Sequence, residues 1–466
     1  MSQTPAHFRD QLSTLTDDGS KRKWIYPRIL KGSLYKYRSA VSYFFLLLLF
    51  SAPFVKLNGE QLVLLNVLER KFVFFGIVFW PQDFYLFALA LLIFIIFIVL
   101  FTVIFGRVFC GWACPQTIFL EMVFRKIENW IEGDHNQQKK LDAAPLSFNK
   151  LLKKTLKHSI FFCISFLISN NFLAYLIGSD KLISIIIEPI KNHLSGFISI
   201  WVFSLIFYLV FSRMRELVCT VVCPYGRLQG VLLDNQSIIV AYDYERGEPR
   251  KKINKEENIQ SGGDCIDCKL CVQVCPTGID IRNGTQLECV NCTACIDACD
   301  MVMVKINRPL RLIGFKSETE IKDKTGFKIS KRIYGYSAIL VILTIILSFL
   351  IIRRTDVQTT ILRASGTLYQ IRDKNQTVSN LYTAEMVNKT GKAIEFEIIP
   401  DDKNAQIQYI QKSNMIAYGS SVKVTFFVIM PLKTIKEYKS KISFKLLFKG
   451  KIVDRFETTF IAPSNN

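Results

Sequence analysis

Histidine is scarce in this chain, whose 466 residues include only His7, His135, His158 and His193. No two of them pair within an apolar run, which argues against a b-type haem in a membrane. The sequence has no Cys-x-x-Cys-His motif, so we expect no c-type haem. No Gly-x-Gly-x-x-Gly follows a predicted strand, and a nicotinamide or flavin site therefore has no support.

Acidic residues are also few, since 39 Asp and Glu stand against 59 Lys and Arg, a formal net charge of +20. A basic chain can bind nucleic acid, but no basic groove with interleaved aromatics and no reading motif is present. The basic residues instead flank long apolar runs that are rich in Phe. We therefore expect membrane lipid, and no nucleic acid, as a partner. The N-terminus is polar for about forty residues, so no cleavable signal peptide is expected.

Five apolar stretches approach the length of about 20 residues that a membrane-spanning helix needs. They are Ser39–Val55, Phe84–Phe105, Ser159–Gly178, Leu194–Ser212 and Tyr334–Ile352. The first is short and contains Pro53, so it is the weakest of the five.

The basic residues predict the orientation of these spans. Residues 21–40 carry seven Lys or Arg and residues 125–157 carry eight, whereas the loops of the opposite side carry few. Lys and Arg favour the cytoplasmic side. We therefore expect a cytoplasmic N-terminus, a cytoplasmic 213–333 segment and a tail outside. The tail is basic too, but long domains translocate largely regardless of charge.

The tail changes character after the last span. Alternating runs at Ala393–Ile399, Val422–Ile429 and Ile442–Phe448 predict strands, and about seven short strands in this length suggest an immunoglobulin-like sandwich. The predicted fold is thus a multidomain membrane protein with an α-helical bundle, a cluster domain and a β-sandwich. Its segments are a cytoplasmic N-terminal segment 1–38, a four-helix region 39–212, a cytoplasmic segment 213–333, a fifth span 334–352 and a periplasmic domain 355–466.

Cysteine is clustered too regularly for a disulfide framework, since eight of the 13 lie within 35 residues. This pattern indicates metal ligation in a reducing compartment. The runs are Cys265-x-x-Cys268-x-x-Cys271-x-x-x-Cys275-Pro276 and Cys289-x-x-Cys292-x-x-Cys295-x-x-x-Cys299.

This register is typical of a bacterial ferredoxin with two [4Fe–4S] clusters, in which the fourth Cys of each run ligates the other cluster. The predicted ligands of the first cluster are Cys265, Cys268, Cys271 and Cys299. Those of the second cluster are Cys289, Cys292, Cys295 and Cys275. Zinc is the alternative, but two four-Cys runs in this register argue against it.

Two further cysteine pairs form a weak internal repeat, because each follows a predicted span and ends in Cys-x-x-x-Cys-Pro. The pairs are Cys110 with Cys114, and Cys219 with Cys223. A spacing of i, i+4 would place both thiols of a pair on one helix face. Together the four candidate catalytic thiols could bind copper(I) or another iron–sulfur cluster, or each pair could cycle between dithiol and disulfide. Arg107 and Arg215 lie near enough in sequence to neutralise thiolates there.

Several segments together resemble a known family. They are FWPQDF at 79–84, CGWACPQT at 110–117, WIEGD at 130–134 and CPYGR at 223–227, in addition to the twin cluster motif and the tail. The set is similar to the cytochrome c oxidase accessory proteins of the FixG/RdxA/CcoG family. The resemblance implies a bacterial inner-membrane iron–sulfur protein that helps assemble a haem–copper oxidase by reducing Cu(II) to Cu(I). The main departure is Asp300, where a Pro is expected after the second motif.

Three functions remain open from the sequence: a cupric reductase, a quinol-dehydrogenase-like electron-transfer subunit, and a non-enzymatic assembly scaffold or redox sensor. The expected cofactors are two [4Fe–4S] clusters, with copper as substrate or transient ligand. The expected partners are copper ions, oxidase subunits or copper chaperones, and an unidentified electron donor. A homodimer is also compatible with the sequence.

Overall fold

The structure is a computed structural model of the chain. It describes residues 22–57, 59–68, 71–79, 83–251, 262–324, 326, 330–353, 357–364, 368–372, 377–388, 393–410, 415–417, 420–435, 437–448 and 451–463. Residues 1–21 of the predicted N-terminal segment lie outside this set. The chain divides into two compact units, one formed by residues 1–55, 61–68 and 87–346, and the other by residues 56–60, 69–86 and 347–466.

The first unit contains most of the helices. The α-helices of the chain are α1 Ser33–Ser51, α2 Phe84–Phe105, α3 Val108–Trp112, α4 Pro115–Ile118, α5 Arg125–Glu132, α6 His135–Ala143, α7 Phe148–Ile177, α8 Ser179–Ile187, α9 Leu194–Leu209, α10 Pro224–Leu232, α11 Tyr244–Gly247, α12 Leu270–Gln273, α13 Ala294–Lys305, α14 Glu318–Asp323 and α15 Lys331–Ile352. Three π-helical segments are Phe119–Phe124, Val210–Met214 and Val218–Val222.

Four helical segments among the described residues are long and apolar enough to cross a membrane. They are Phe84–Phe105, Phe148–Ile177, Leu194–Met214 and Lys331–Ile352. Each overlaps a predicted span, although the helix Phe148–Ile177 begins well before the predicted Ser159. The chain is therefore a membrane protein.

Helix α1 corresponds to the remaining predicted span, but it begins at Ser33 and ends at Ser51. It does not qualify as a span by composition, because its first two turns carry Lys36 and Arg38. Its contacts nevertheless extend along the bundle. Arg38 Nε donates to the Gly111 carbonyl at 2.8 Å. The Leu49 carbonyl accepts hydrogen bonds from Asn171 and Tyr175, near the far end of α7, at 3.0 and 2.7 Å. The structure therefore supports four of the five predicted spans, and the first span stays a prediction.

The strands of the chain are β1 Lys56–Leu57, β2 Glu60–Gln61, β3 Val63–Asn66, β4 Lys71–Phe74, β5 Ile77–Phe79, β6 Ile239–Tyr242, β7 Ile313–Lys316, β8 Val357–Arg363, β9 Gln370–Arg372, β10 Thr377–Asn388, β11 Ile394–Pro400, β12 Gln406–Tyr409, β13 Met415–Ile416, β14 Ser421–Pro431, β15 Lys439–Phe448 and β16 Lys451–Ile461. Strands β6 and β7 form an antiparallel pair in the cluster domain.

The tail is the predicted β-sandwich. One sheet has the order β12-β14-β10-β8, with β9 beside β10, and the other has the order β13-β11-β15-β16. The pairs in both sheets are antiparallel, and β10 and β14 are in register from Thr377↔Pro431 to Val387↔Ser421. Alternate side chains of each sheet face the core, where Tyr382, Phe426 and Phe444 are fully buried. This alternation is the pattern that predicted the strands.

Candidate metal centres

Both predicted cluster motifs fold into loops with the same uncommon backbone. Asp267 and Lys269 in the first motif, and Asn291 and Thr293 in the second, have φ between 51° and 66°. Left-handed backbone is uncommon at residues other than glycine and concentrates at functional sites. These residues occupy equivalent positions, two and four after the first cysteine of each run. Each loop therefore curls in the same way.

The predicted ligand sets each line one cavity. The first cavity is lined by Cys265, Cys268, Cys271 and Cys299. The second is lined by Cys275, Cys289, Cys292 and Cys295, and Cys271 also borders it. In each set the fourth cysteine comes from the other run, which is the arrangement of a two-cluster ferredoxin.

The two ligand sets present the donors that the sequence motif predicts. Each set places four cysteine side chains around one cavity. The residues therefore fit two [4Fe–4S] clusters, whose ligands are cysteine thiolates.

Burial controls the protonation of the cluster cysteines. It raises the pKa of Cys271, Cys289 and Cys299 to about 12. These side chains therefore hold their protons at neutral pH until a positive group binds, and cluster binding releases the protons. Of the eight cluster cysteines, Cys268 is exposed. The first cluster site consequently lies nearer the protein surface than the second.

Asp300 follows the second motif at the position where Pro276 follows the first. Helix α13 continues through Asp300 to Lys305, and a proline there would interrupt it. The Asp300 carboxylate accepts a hydrogen bond from the Arg311 backbone N–H at 2.8 Å and pairs with the Arg311 guanidinium at 3.4 Å. The departure from the family pattern thus lengthens a helix and leaves Cys299 in the first ligand set.

The two Cys-Pro pairs do not lie on continuous helices, so the expectation of two thiols on one helix face is wrong. Cys110 lies within α3, whereas Cys114 has φ −63° and ψ 123° and caps α4. Cys219 lies in the π-helix Val218–Val222, whereas Cys223 has φ −72° and ψ 111° and caps α10. Proline disfavours helical backbone at the residue before it and suits the first position of a helix. Each motif is therefore a break between two helices.

The structure brings the four Cys-Pro thiols together. Cys219 interacts electrostatically with Cys110, Cys114 and Cys223, and Cys110 interacts with Cys114 and Cys223. Burial raises the pKa of Cys110 to about 11 and that of Cys219 to about 12. The two repeat elements thus form one thiol cluster beside the membrane helices, which we call the Cys-Pro site.

The Cys-Pro site packs directly against the loop of the second cluster. Cys110 lies in one buried apolar group with Val290 and Cys292. Trp112 Nε1 donates to the Asn291 carbonyl at 3.3 Å. These contacts join the first Cys-Pro break to the Cys289–Cys292 segment, although the two are far apart in the sequence. Electron transfer between the two sites would need to cross only packed side chains.

The two arginines expected near the Cys-Pro thiols have different surroundings. Arg107 Nε donates to Gln229 Oε1 at 3.2 Å, and the Cys110 thiol donates to the same oxygen at 3.0 Å. Arg215 instead forms a buried pair with Glu128, at 2.8 and 3.1 Å. The expectation that an arginine lies beside the Cys-Pro thiols thus holds for Arg107. It is wrong for Arg215, whose charge is neutralised by a carboxylate.

Sequence reasoning did not identify two polar residues of this region. Gln229 is fully buried and also donates to Thr102 Oγ1 at 3.4 Å. Asn291 Oδ1 accepts a hydrogen bond from the Val240 backbone N–H at 3.2 Å. The position of Asn291 between Cys289 and Cys292 indicates from the sequence that it lies at the cluster loop. No neighbouring sequence motif identifies Gln229.

Models of three known families match parts of the chain. A 4Fe-4S dicluster domain matches residues 214–318, and a 4Fe-4S binding domain matches residues 87–133. The IG-like fold at the C-terminus of FixG matches residues 347–463. The first two matches include the Cys-Pro pairs as well as the cluster motifs.

Three bacterial proteins are similar to the chain. Nitrogen fixation protein FixG of Rhizobium meliloti is 36% identical over 302 residues, 63% of this chain and 57% of FixG. RdxA of Cereibacter sphaeroides is 39% identical over 256 residues, 55% of this chain and 53% of RdxA. RdxB of the same organism is 32% identical over 396 residues, 81% of this chain and 82% of RdxB. The matched region thus spans little more than half of FixG and RdxA.

A solved structure is similar to part of the chain. The crystal structure of a FixG-related protein from Vibrio parahaemolyticus covers 23% of this chain and 97% of its own, at 18% identity and a TM-score of 0.21.

Proposed function

Because this chain belongs to the FixG/RdxA family of membrane iron–sulfur redox proteins, we propose that it reduces Cu(II) to Cu(I) for the assembly of a haem–copper cytochrome c oxidase. The observation that carries the proposal is that Cys110 of the Cys-Pro site lies in one buried apolar group with Val290 and Cys292 of the second cluster loop. It supports a path on which an electron leaves the cluster domain and reaches a group of soft thiols.

Sulfur ligands suit the product of this reaction. Thiolates select Cu(I) over hard cations, so the Cys-Pro site stabilises copper after it gains an electron. When bound, each [4Fe–4S] cluster supplies one electron, which reduces one Cu(II) to one Cu(I). The electron transfer itself breaks no covalent bond, whereas binding of Cu(I) by the thiols breaks their S–H bonds and releases those protons to water.

The position of the thiols agrees with copper as a passing substrate. The four thiols interact electrostatically with one another. Cys114 and Cys223 lie at helix breaks, so a change in either junction can release the ion without unwinding a membrane helix.

We further propose that the cluster domain is cytoplasmic and that the β-sandwich lies in the periplasm of a bacterial inner membrane. The basic residues at 21–40 and 125–157 support this orientation. In this arrangement the electron donor is cytoplasmic or belongs to the quinone pool, and the sandwich faces oxidase subunits or copper chaperones.

The experiment measures Cu(I) formation with a Cu(I)-specific chelator, by anaerobic protein in detergent that has been reduced with dithionite and then freed of excess reductant. Cys110→Ser and Cys223→Ser should abolish Cu(I) formation while the cluster absorbance stays at the wild-type level. Cys163→Ser is the matched control, because Cys163 is exposed on the membrane helix Phe148–Ile177, and this variant should reduce copper normally. Full activity in a variant that lacks all four Cys-Pro thiols would contradict the proposal.

A further inference from the structure

Helix α7 is longer than a membrane crossing requires. Its 30 residues extend over about 45 Å at 1.5 Å per residue, whereas the hydrocarbon core of a bilayer is about 30 Å thick. The long apolar run of the helix begins near Ser159, so residues 148–158 precede it. These first turns belong to the segment 125–157, whose many basic residues suggest a loop in water.

The exposed side of the first turns of α7 is nevertheless apolar. Phe148, Leu152 and Leu156 are 82%, 56% and 49% exposed, and their spacing of four residues places them on one helix face. Cys163 and Leu167 continue the same face at intervals of seven and four residues, and both are exposed. Since Cys163 and Leu167 lie in the membrane-crossing part of the helix, its lipid-facing stripe extends into residues 148–156.

The opposite side of these turns is basic, and acidic residues of α5 and α6 neutralise it. Lys157 Nζ lies 2.8 Å from Glu132 Oε1 and 3.2 Å from Glu128 Oε1. Lys154 Nζ lies 2.9 Å from Glu132 Oε1 and 2.5 Å from Asp142 Oδ1. These two lysines therefore direct their charges into the protein and add none to the apolar stripe.

Helix α5 has the same inverted polarity. Its charged residues Arg125, Glu128 and Glu132 are 4%, 5% and 2% exposed, whereas Trp130 is 80% exposed. A helix on the surface of a soluble domain does the reverse, because it buries apolar side chains and exposes charged ones. Tryptophan concentrates at the boundary between hydrocarbon and water, where an apolar ring with one polar N–H is favourable. The polarity of α5 therefore matches a membrane interface.

We propose that α5 and the first turns of α7 lie in the membrane interface, where Trp130 and the stripe of Phe148, Leu152 and Leu156 contact phospholipid. We call these two elements the interfacial segment. Amphipathic helices bind the boundary of headgroups and acyl chains through such an apolar face. A second protein chain could also cover an apolar surface. Continuity of the stripe with the lipid-facing side of α7 favours phospholipid instead.

The interfacial segment is joined to the metal centres by buried polar contacts. Glu128 pairs with Arg215 at 2.8 Å, and Arg215 lies four residues before Cys219. Arg125 Nη2 donates to the Pro276 carbonyl at 3.1 Å, directly after the cluster cysteine Cys275. An interfacial position of α5 therefore holds the Cys-Pro site and the second cluster loop close to the membrane surface.

The test is tryptophan fluorescence of the full-length protein in nanodiscs made of phosphatidylcholine and phosphatidylglycerol. The phosphatidylcholine is either unlabelled or brominated on its acyl chains near the headgroups. The chain has five Trp residues, so the contribution of Trp130 is the difference between wild type and Trp130→Phe. This contribution should be largely lost in brominated lipid. Trp24→Phe is the matched control, because Trp24 stacks on Arg22 and Arg215 within the protein, and its contribution should not respond to bromine.

A second pair of variants tests the stripe of α7 in the Trp130→Phe background. Leu152→Trp should add fluorescence that brominated lipid quenches. Asn136→Trp, at an exposed position of the polar helix α6, should add fluorescence that aqueous iodide quenches and brominated lipid does not. The visible absorbance of the clusters reports that each variant is folded.

Two outcomes overturn the inference. Quenching of Trp130 and of the Leu152→Trp side chain by iodide, without quenching by brominated lipid, would place the segment in water. Protection from both quenchers would show that a protein chain covers it. Because no copper is added, these results do not depend on copper reduction.

Discussion

Gly111 lies where the first Cys-Pro break contacts the loop of the second cluster. A Cβ atom at this position would lie 2.3 Å from the Val290 carbonyl oxygen and 3.0 Å from the carbonyl carbon of Asn291. Both are backbone atoms, which cannot rotate away as a flexible side chain can. Gly111→Ala therefore has to displace either α3 or the cluster-binding loop.

The size of this effect follows from two opposing contributions. Gly111 lies in a helix, where Ala is more favourable than Gly by about 1 kcal/mol. Overpacking of a tight contact costs about 1–3 kcal/mol, and a contact with backbone at 2.3 Å belongs at the upper end. We expect a net loss of about 2 kcal/mol of unfolding free energy. At about 2–4 °C per kcal/mol for a domain of 150–250 residues, the Tm falls by several degrees.

The assay follows the visible absorbance of the clusters during heating under anaerobic conditions. Gly335→Ala is the matched control, because Gly335 also lies in a helix and a Cβ there would meet nothing within 4 Å. This control should leave the Tm unchanged or slightly raised. If Gly111→Ala melts at the same temperature as Gly335→Ala, the close contact between the Cys-Pro break and the cluster loop is refuted.

Three other predictions concern the clusters, the topology and a buried ion pair. Anaerobically purified protein should contain about eight iron atoms per chain. The double variant Cys268→Ser, Cys292→Ser should lose the visible absorbance of the clusters. Stoichiometric zinc without iron in the wild-type protein would contradict the ligand assignment. Alkaline phosphatase should be active when it is fused after Asn466 and inactive when it is fused within residues 236–260. The reverse pattern would overturn the proposed orientation of the cluster domain and the β-sandwich. Arg215→Ala should lower the unfolding free energy by about 2 kcal/mol, because Glu128 loses two charge-assisted hydrogen bonds and keeps only Lys157, at 3.2 Å, as its cation. Denaturation equal to wild type would show that the pair contributes nothing.

Much of the architecture is predictable because it depends on local sequence. The cluster ligands follow from short loops, in which three thiols separated by two residues converge wherever the chain curls as it does at Asp267 and Asn291. Four spans follow from long apolar runs, and the sandwich follows from alternating burial such as that of β14. Sheet order and register depend on pairings between distant strands, which such local patterns do not encode.

Local sequence patterns predict only part of the Cys-Pro site. The helix break at Cys114 is predictable, because the residue before a proline avoids helical backbone. The prediction that both thiols of a pair share one helix face does not take this effect into account. The packing of Cys110 in one buried group with Val290 and Cys292, and the pairing of Arg215 with Glu128, are different in kind. They join residues far apart in the chain, so only the packed structure reveals them.

A single-turnover experiment can establish whether electrons pass from the clusters through the Cys-Pro site to copper. Protein reduced by one electron per cluster is freed of excess reductant and mixed with Cu(II), while cluster reoxidation and Cu(I) formation are recorded together. Wild-type protein should form one Cu(I) for each electron that leaves its clusters. The variant with serine at Cys110, Cys114, Cys219 and Cys223 should keep its iron, and its clusters should stay reduced. Reoxidation of that variant by Cu(II) at the wild-type rate would contradict this path.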